Sequence, residues 1–309
     1  MVSQCKKCGA PAAVVLPYAN VRYCKTHFIE FFENRIERFI VKYKMVEPGD
    51  RVLIAVSGGK DSVVLLHVMW KLADRLGIKL HGVTIDLGIR NYSSIYVAVS
   101  KKNFEKLGVP YTIIDLKDAF GFTIDDVAKR WRRVCAKCGI VKRYVLNKFA
   151  VEEGYDAVAT GHNLDDMMAV ALSSLMRGDV EGLGKIKPVL PAREGLVKKI
   201  KPLAFTREKD VKIYACLNKL DVVSARCPYS RGSTLDDFKH AINMLEEKHP
   251  SIKYSFARTL YREQGGLARM KEEPLGKCKI CGMPSKSLVC GFCRLRQALQ
   301  ASPRDRVFL

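Results

Sequence analysis

The chain has 309 residues, 48% of them hydrophobic, with 53 Lys+Arg against 32 Asp+Glu, a formal charge of +21, and 11 cysteines. That length suits one large α/β domain with small appendages; no run reaches the roughly 18 to 20 uncharged apolar residues of a membrane span, and the start MVSQCKKCG has no apolar core of a secretory signal, so a cytoplasmic protein with no membrane partner is expected. The basic excess points to a polyanion such as nucleic acid, or more blandly to a solubilising surface; allowing for metal-bound thiolates still leaves roughly +17.

In chain order, Cys5-x2-Cys8-x15-Cys24-x2-His27 comes first and offers four ligands in two knuckles. Tetrahedral zinc needs four nitrogen or sulfur ligands, and a closed set of four is structural rather than catalytic. Zinc also supplies the folding energy that so short a segment lacks. FIEFFENRIERFIVKYKMV follows with apolar residues at helical spacing, a linking helix over about 30–50 that EPGD (47–50) breaks.

From Arg51 strands and helices alternate. RVLIAV (51–56) reads as a buried strand, Asp61 to Leu76 as a helix, KLHGVTID (79–86) as a strand and Tyr96 to Leu107 as a helix. YTIIDL (111–116) is a third strand, helices are expected over Ile124–Arg132 and Ile140–Glu153, and DAVATG (156–161) is a fourth strand before a helix from about Leu164. This order implies a parallel sheet, whose ligands bind beyond the carboxyl ends of the strands. The central domain is expected over 51–235, a helical extension over 236–275 and a second metal ribbon over 276–309.

Both chemical motifs sit at such ends. Ser57-Gly58-Gly59-Lys60-Asp61-Ser62 follows the first strand. Its glycines let the backbone approach a phosphate, the turn and helix amides point at an anion, the two serines add hydroxyls and Lys60 adds charge. Asp61 would repel phosphate unless it ligates magnesium or caps the helix. A tight capped turn is the plain alternative; GxxxxGK[ST] is absent. AVATGHNLDD (157–166) follows the fourth strand, with Gly161 for close approach and His162, Asp165 and Asp166 opening a helix, where carboxylates also serve as simple caps. His162 reads equally as a packed structural histidine.

The middle cysteines differ from the terminal ones. Cys135-x2-Cys138 lies among basic residues in RRVCAKCGIVKR, with Cys227 in ARCPYSRG as partner. Three thiolates are one short of a closed zinc site, but can hold a 4Fe-4S cluster with one iron free. A catalytic disulfide or persulfide on Cys135 or Cys138, or zinc with a fourth ligand from elsewhere, are the rivals. Cys216, on an apolar helical pattern, is expected to be a core thiol. Finally Cys278-x2-Cys281-x8-Cys290-x2-Cys293 offers a second structural zinc site. Lys6, Lys7, Lys277, Lys279, Arg294 and Arg296 around the two knuckles either touch RNA phosphates or form a solvated face.

SGGKDS after a first strand resembles the PP-loop of ATP pyrophosphatases. With TGHNLDD, CAKCGIVKR, the RCPY cysteine and both knuckles in order, nearly the whole chain resembles the two-zinc-finger PP-loop tRNA 2-thiouridine synthetases. The resemblance implies a parallel-sheet α/β domain of the adenine nucleotide alpha hydrolase type. It implies an ATP site made by Ala55, Ser57, Gly58, Gly59, Lys60, Asp61 and Ser62, with Ile85 and Gly161 flanking adenine, Lys142 near the nucleotide and Asp166 as a carboxylate needed for activity. It implies a 4Fe-4S cluster on Cys135, Cys138 and Cys227, with Mg2+ and two Zn2+. Asp61, Lys142, Asp166 and the three cysteines would carry catalysis. The implied partners are tRNA, a sulfur donor (sulfide or a thiocarboxylated ubiquitin-like carrier) and a second copy in a homodimer. Met167 and Met168 with LMRGD (175–179) match the branch acting on the wobble uridine, whereas DLGI (86–89) and DLKDAFG (115–121) match the branch acting on the T loop. The expected reaction is ATP-dependent adenylation of a uridine C2 oxygen followed by its replacement with sulfur. A small-molecule ATP pyrophosphatase and a non-enzymatic RNA-binding module are the alternatives.

Overall fold

The computed structural model describes residues 3–230, 234–262 and 275–301. Residues 1–2, 231–233, 263–274 and 302–309, and with them parts of the expected central domain, helical extension and C-terminal ribbon, lie outside the described residues.

The N-terminal knuckles fold around a hairpin, β1 (Val14–Leu16) and β2 (Val21–Tyr23), which leads into α1 (Lys25–Lys42). Phe28, Phe32, Ile36, Phe39 and Ile40 recur every three or four residues on α1 and are buried, the stripe expected of a helix packed on one side.

The central sheet has the order β5-β4-β3-β6-β8-β7. Its strands are β3 (Arg51–Ala55), β4 (Lys79–Asp86), β5 (Tyr111–Asp115), β6 (Ala157–Ala159), β7 (Val189–Leu190) and β8 (Lys198–Ile200). All pairings are parallel except β7 with β8. The central strands β3 and β6 are short apolar runs because both their faces are covered. Val52 and Ile54 enter the large core with α2 (Lys60–Leu76), α7 (Leu164–Met176) and α9 (Glu208–Leu217), while Leu53 joins Ala150, Val158 and Val197 under α6 (Val134–Glu152) on the other face.

The remaining helices are α3 (Ser93–Leu107), α4 (Leu116–Phe120), α5 (Ile124–Arg130), α8 (Val180–Gly184), α10 (Thr234–Lys248), α11 (Ile252–Arg262) and α12 (Gly291–Gln300); Gly276–Lys277 and Pro284–Ser285 pair as a small hairpin, β9 and β10. Among the described residues no helix is long and apolar enough to cross a membrane.

Three expectations are corrected. The third strand stops at Asp115, whose side chain accepts from the amides of Lys117 and Asp118 and starts a helix. Helix α6 begins at Val134 rather than Ile140, so Cys135 and Cys138 lie in its first turns. Cys216 is exposed, not a core thiol: Val211, Tyr214 and Ala215 form the inner face of α9, and the next position turns outward.

Candidate active site

The strand order turns back at β3. From β3 the chain moves outward through β4 to β5, then returns to lay β6 on the other side of β3. A crevice opens at the carboxyl ends beside such a switch point, and both motifs occupy it: SGGKDS leaves β3 and TGHNLDD leaves β6.

Gly58 has φ +77°, and a Cβ there would stand 2.5 Å from the Tyr96 carbonyl oxygen. The loop is tied across its own turn. The Ser57 amide donates to Ser62 Oγ (3.0 Å), and Ser62 Oγ donates to the Gly59 carbonyl (3.0 Å). Gly59 is the N-cap of α2 and no side chain caps that end, which leaves first-turn amides for an anion. A Cβ at Gly161 would meet the Asp61 carbonyl carbon and Ser62 amide nitrogen at 3.0 Å, so the two motifs touch backbone to backbone. Ala55 ends β3 and Ile85 stands one residue before the end of β4, Ala55 paired with Val83 and Ile85 with Ile114.

An ion-pair network fills the crevice. Lys60 Nζ lies 2.9 Å from Asp61 and 2.6 Å from Glu208; Lys239 Nζ lies 2.5 Å from Asp166 and 3.3 Å from Glu208. Asn163 Nδ2 donates to Asp61 (3.0 Å), and Asp166 also accepts from the Asn163 amide (3.1 Å) in a capping box. Burial raises the Asp61 carboxyl above its usual range although Lys60 pulls the other way. Burial also opposes ionisation of Glu208, but Lys60 and Lys239 outweigh it and hold that carboxyl low. Glu208 and Lys239 belong to no motif seen in the sequence, and Asn163, inside TGHNLDD, was given no role there. Asp165, next to Asp166, faces away: it is buried against Lys253 at 2.5 Å.

His162 is solvent-exposed at the crevice, not packed in the core, and shares a 2.9 Å hydrogen bond with Thr160. Burial of its surroundings lowers its pKa, Asp166 opposes this, and Lys201, Lys142 and Arg143 add to it. The imidazole therefore stands between Asp166 and a basic cluster.

The three central thiols approach the phosphate loop by two routes. The Val223 amide donates to the Gly58 carbonyl at 3.0 Å, and Cys227, four residues on, is at most about 14 Å away along an extended chain. Tyr96, whose carbonyl abuts Gly58, stacks on Tyr92 with ring centroids 4.3 Å apart, and its hydroxyl donates to the Ala225 carbonyl. Tyr92 in turn feels the charges of Cys227 and Cys138. Cys135 Sγ donates to the Tyr229 carbonyl at 2.9 Å. Burial raises the thiol pKa values of Cys135 and Cys138; Cys227 adds to both, and Lys142 opposes.

The donor sets differ in kind. Zinc with bonds of about 2.3 Å holds its sulfurs about 3.8 Å apart. Cys8 and Cys24 Sγ lie 3.9 Å apart, Cys281 and Cys290 Sγ 3.8 Å, and both Cys5 and Cys24 Sγ are 3.4 Å from His27 Nδ1. In each four-residue set all ligand atoms fall within 4.8 Å of one another, so both sets fit a zinc ion. Burial works against ionising Cys5 and Cys278, yet surrounding amides bring each thiol down to about 6. Cys135, Cys138 and Cys227 do not close to that spacing, and no fourth ligand joins them among the described residues. Three thiols held apart and one short of a tetrahedron fit a polynuclear cluster with an open iron better than a single ion.

Residues 29–225 match the family described as PP-loop domain, and residues 4–29 match the N-terminal LIM domain of the 2-thiouridine synthetase TtuA. The chain is 39% identical to the tRNA-5-methyluridine(54) 2-sulfurtransferase of Pyrococcus horikoshii over 94% of its own length and 93% of the relative's. It is 40% identical to the protein of that name from Thermotoga maritima, covering 96% and 97%. A cytoplasmic tRNA 2-thiolation protein 1 of Chlamydomonas reinhardtii is 31% identical, covering 96% and 84%. Among solved structures, the U34-tRNA thiolase NcsA from Methanococcus maripaludis with its 4Fe-4S cluster superposes with a TM-score of 0.84 at 30% identity, covering 97% of each chain.

Proposed function

The chain belongs to the PP-loop family of tRNA uridine 2-sulfurtransferases, and within it we propose that this enzyme adenylates the C2 oxygen of 5-methyluridine 54 in the T loop and exchanges that oxygen for sulfur at three central thiolates. The observation that carries the reading is the 3.0 Å bond from Val223 to Gly58, which ties the segment bearing Cys227 to the phosphate loop. Relatives named for position 54 are 39% and 40% identical, against 31% for the cytoplasmic relative and 30% for the U34 thiolase, which supports the T-loop target.

The proposed first step is attack of the uridine oxygen on the α-phosphorus of ATP with departure of pyrophosphate. Gly58, Gly59 and the opening turn of α2 receive the phosphates, and Lys60 exchanges a carboxylate partner for a phosphate oxygen. Positive charge fixed in advance stabilises the transition state without rearranging as it forms. Asp61, Asp166 and Glu208 are the carboxylates within reach of a magnesium ion, which would neutralise charge on the leaving pyrophosphate. Ile85 and Gly161 flank the adenine, and Lys142 stands between nucleotide and thiols.

Adenylation makes the C2 oxygen part of a good leaving group, so incoming sulfur expels AMP. Cys135, Cys138 and Cys227 would hold a 4Fe-4S cluster, and with three protein thiolates for four irons it would supply a site for the incoming sulfur. The sulfur donor is sulfide or a thiocarboxylated carrier protein. Two zinc ions hold the terminal knuckles and take no part in the reaction. A homodimer accompanies this reading.

The test is anaerobic thiolation of tRNA with ATP and sulfide, read by nucleoside mass spectrometry and by iron and zinc content. Cys227→Ala should lose the iron and the 2-thiouridine product, keep both zinc ions and bind tRNA as the wild type does. Unaltered turnover of that variant would rule out the three-thiolate site. Product mapped to another uridine would overturn the T-loop assignment.

A further inference from the structure

A row of basic side chains runs from the thiols along the groove between α6 and β8, and the mechanism above uses only its first member. In the register of β6 and β8, Val158 pairs with Lys199 and Ala159 with Ile200. Ile200 and Ala159 enter the large core, whereas Val158 faces α6. Lys199 therefore faces α6 as well, and Lys201, just past the end of β8, lies near enough for its charge to be felt with those of Lys199 and His162.

Helix α6 descends from the carboxyl edge of the sheet, where it carries Cys135 and Cys138, to the amino edge, where Arg51 Nη1 donates to the Glu153 carbonyl at 2.9 Å. Partway down it is pinned to the approach of β8. Asn147 Nδ2 donates to the Gly195 carbonyl (2.9 Å), and the Val197 amide donates to Asn147 Oδ1 (3.2 Å). One turn back towards the cysteines, about 6 Å, is Arg143. Two residues forward on the strand, about 6.6 Å, is Lys199. The Arg143 guanidinium bears on the Lys199 ammonium, and Lys201, Lys142 and Arg143 all bear on His162 at the crevice.

The electrostatics agree with this placement. Burial lowers the pKa of Lys199 and Arg143 lowers it further; burial brings Lys201 down to about 8, with Lys199 contributing. No carboxylate helps to hold either charge. Among the described residues none of Lys142, Arg143, Lys199 or Lys201 is ion-paired, and the ammonium of Lys201 donates only to the Lys187 carbonyl at 2.6 Å. Neighbouring buried or half-buried lysines are paired: Lys60, Lys198, Lys239 and Lys253 each meet a carboxylate. Half-buried like charges without a counter-ion destabilise the free protein, and a fixed anion relieves that cost.

We propose that the groove lined by Arg143, Lys199 and Lys201 binds a backbone phosphate of the tRNA strand next to the target uridine. The inference rests on tRNA being the substrate. Planar guanidinium and flanking ammonium groups suit a phosphodiester. The phosphates of ATP have their own loop at β3, on the far side of β6 from Lys199. A phosphate gripped here orients the strand towards the thiols, because Lys142 lies one turn of α6 from Cys138.

The test compares wild type, Lys199→Met and the double variant Arg143→Gln, Lys199→Met. Binding of tRNA is measured over a range of salt, ATP binding without tRNA, and thermal melting without either. The slope of log affinity against log salt should fall by about 0.7 to 0.9 per lost phosphate contact. At moderate salt tRNA should bind the double variant roughly tenfold more weakly. ATP affinity should stay within twofold, and Lys199→Met should melt at or above the wild-type temperature. An unchanged salt slope overturns the proposal. Loss of ATP affinity matching the loss for tRNA overturns it in favour of a nucleotide-phosphate role, and a lower melting temperature for Lys199→Met overturns the claim of an uncompensated charge. Failure of the wild type itself to bind tRNA sinks the functional reading first, and is visible before any variant is made.

Discussion

Asp165→Ala tests whether the adjacent carboxylates of LDD perform separate jobs. Asp165 is held between two elements: Lys253 Nζ of α11 lies 2.5 Å from one oxygen, and the Glu208 amide at the start of α9 donates to the other at 2.8 Å. Both charged side chains are only 4% exposed. Removing the carboxylate leaves an ammonium buried with Asn243 as its remaining side-chain hydrogen-bond partner, and leaves the Glu208 amide without that acceptor. Breaking one side of a buried pair costs about 3–5 kcal/mol, and the abandoned amide adds to it. At roughly 2–4 °C per kcal/mol for a large domain, melting should fall by about 6–20 °C. Adding Lys253→Met removes the stranded charge and should recover a large part of the loss. Scanning calorimetry of the zinc-loaded protein reads both numbers. A drop under 2 °C, or a double variant that melts lower than the single one, would refute the reasoning.

Two further outcomes follow from the same structure. Gly58→Ala forces a side chain into φ +77° and against the Tyr96 carbonyl; the left-handed backbone alone costs about 1–2 kcal/mol, so ATP binding measured by calorimetry should weaken at least tenfold while zinc content stays the same. Lys201 titrates at about 8 when folded against 10.5 for the free side chain, so the unfolded chain binds more protons between those values and stability gains as pH rises through them. Below about pH 8 the cost of charging it is fully present; Lys201→Met should melt above the wild type at pH 7, with the gap closing by pH 10. A constant gap would show that the lysine is not the titrating group.

Much of this was readable in the sequence, and the misses have physical causes. The second strand of the central domain, Lys79–Asp86, matches its expected span because Gly77 before it and Gly88 after it adopt left-handed turns. The start of α6 was missed by six residues because RRVCAKCGIVKR offers no apolar period and its N-cap, Arg133, makes no capping bond. Both terminal metal sets were legible because their ligands are close in sequence and need little else. Glu208 and Lys239 were not, since each lies 40 or more positions beyond the TGHNLDD motif and joins the crevice only through packing of α9 on α2 and of α10 on α7. The division of labour between Asp165 and Asp166 was hidden for another reason: neighbours on a helix point about 100° apart, and only tertiary contacts decide which direction is core.

The crevice and the groove beside it are charged on opposite principles. In the crevice two lysines, Lys60 and Lys239, face three carboxylates, Asp61, Asp166 and Glu208. On the proposed reaction each charge has a partner to exchange when ATP and a magnesium ion bind, so the crevice would reorganise by swapping contacts. The groove holds Arg143, Lys199 and Lys201 with no acid to release, so whatever binds there adds attraction without breaking an existing pair. Exchange suits the proposed ATP, which would leave after each turnover as pyrophosphate and AMP. Uncompensated charge suits a long polyanion, because it draws the RNA in at distance and holds it while the small-molecule chemistry proceeds. Reversing the sign of one groove position, as in Lys199→Glu, should therefore weaken tRNA binding more than neutralising it does, and leave the ATP pocket unaltered; equal effects of Lys199→Glu and Lys199→Met on tRNA affinity would mean that the groove acts through shape and not through charge.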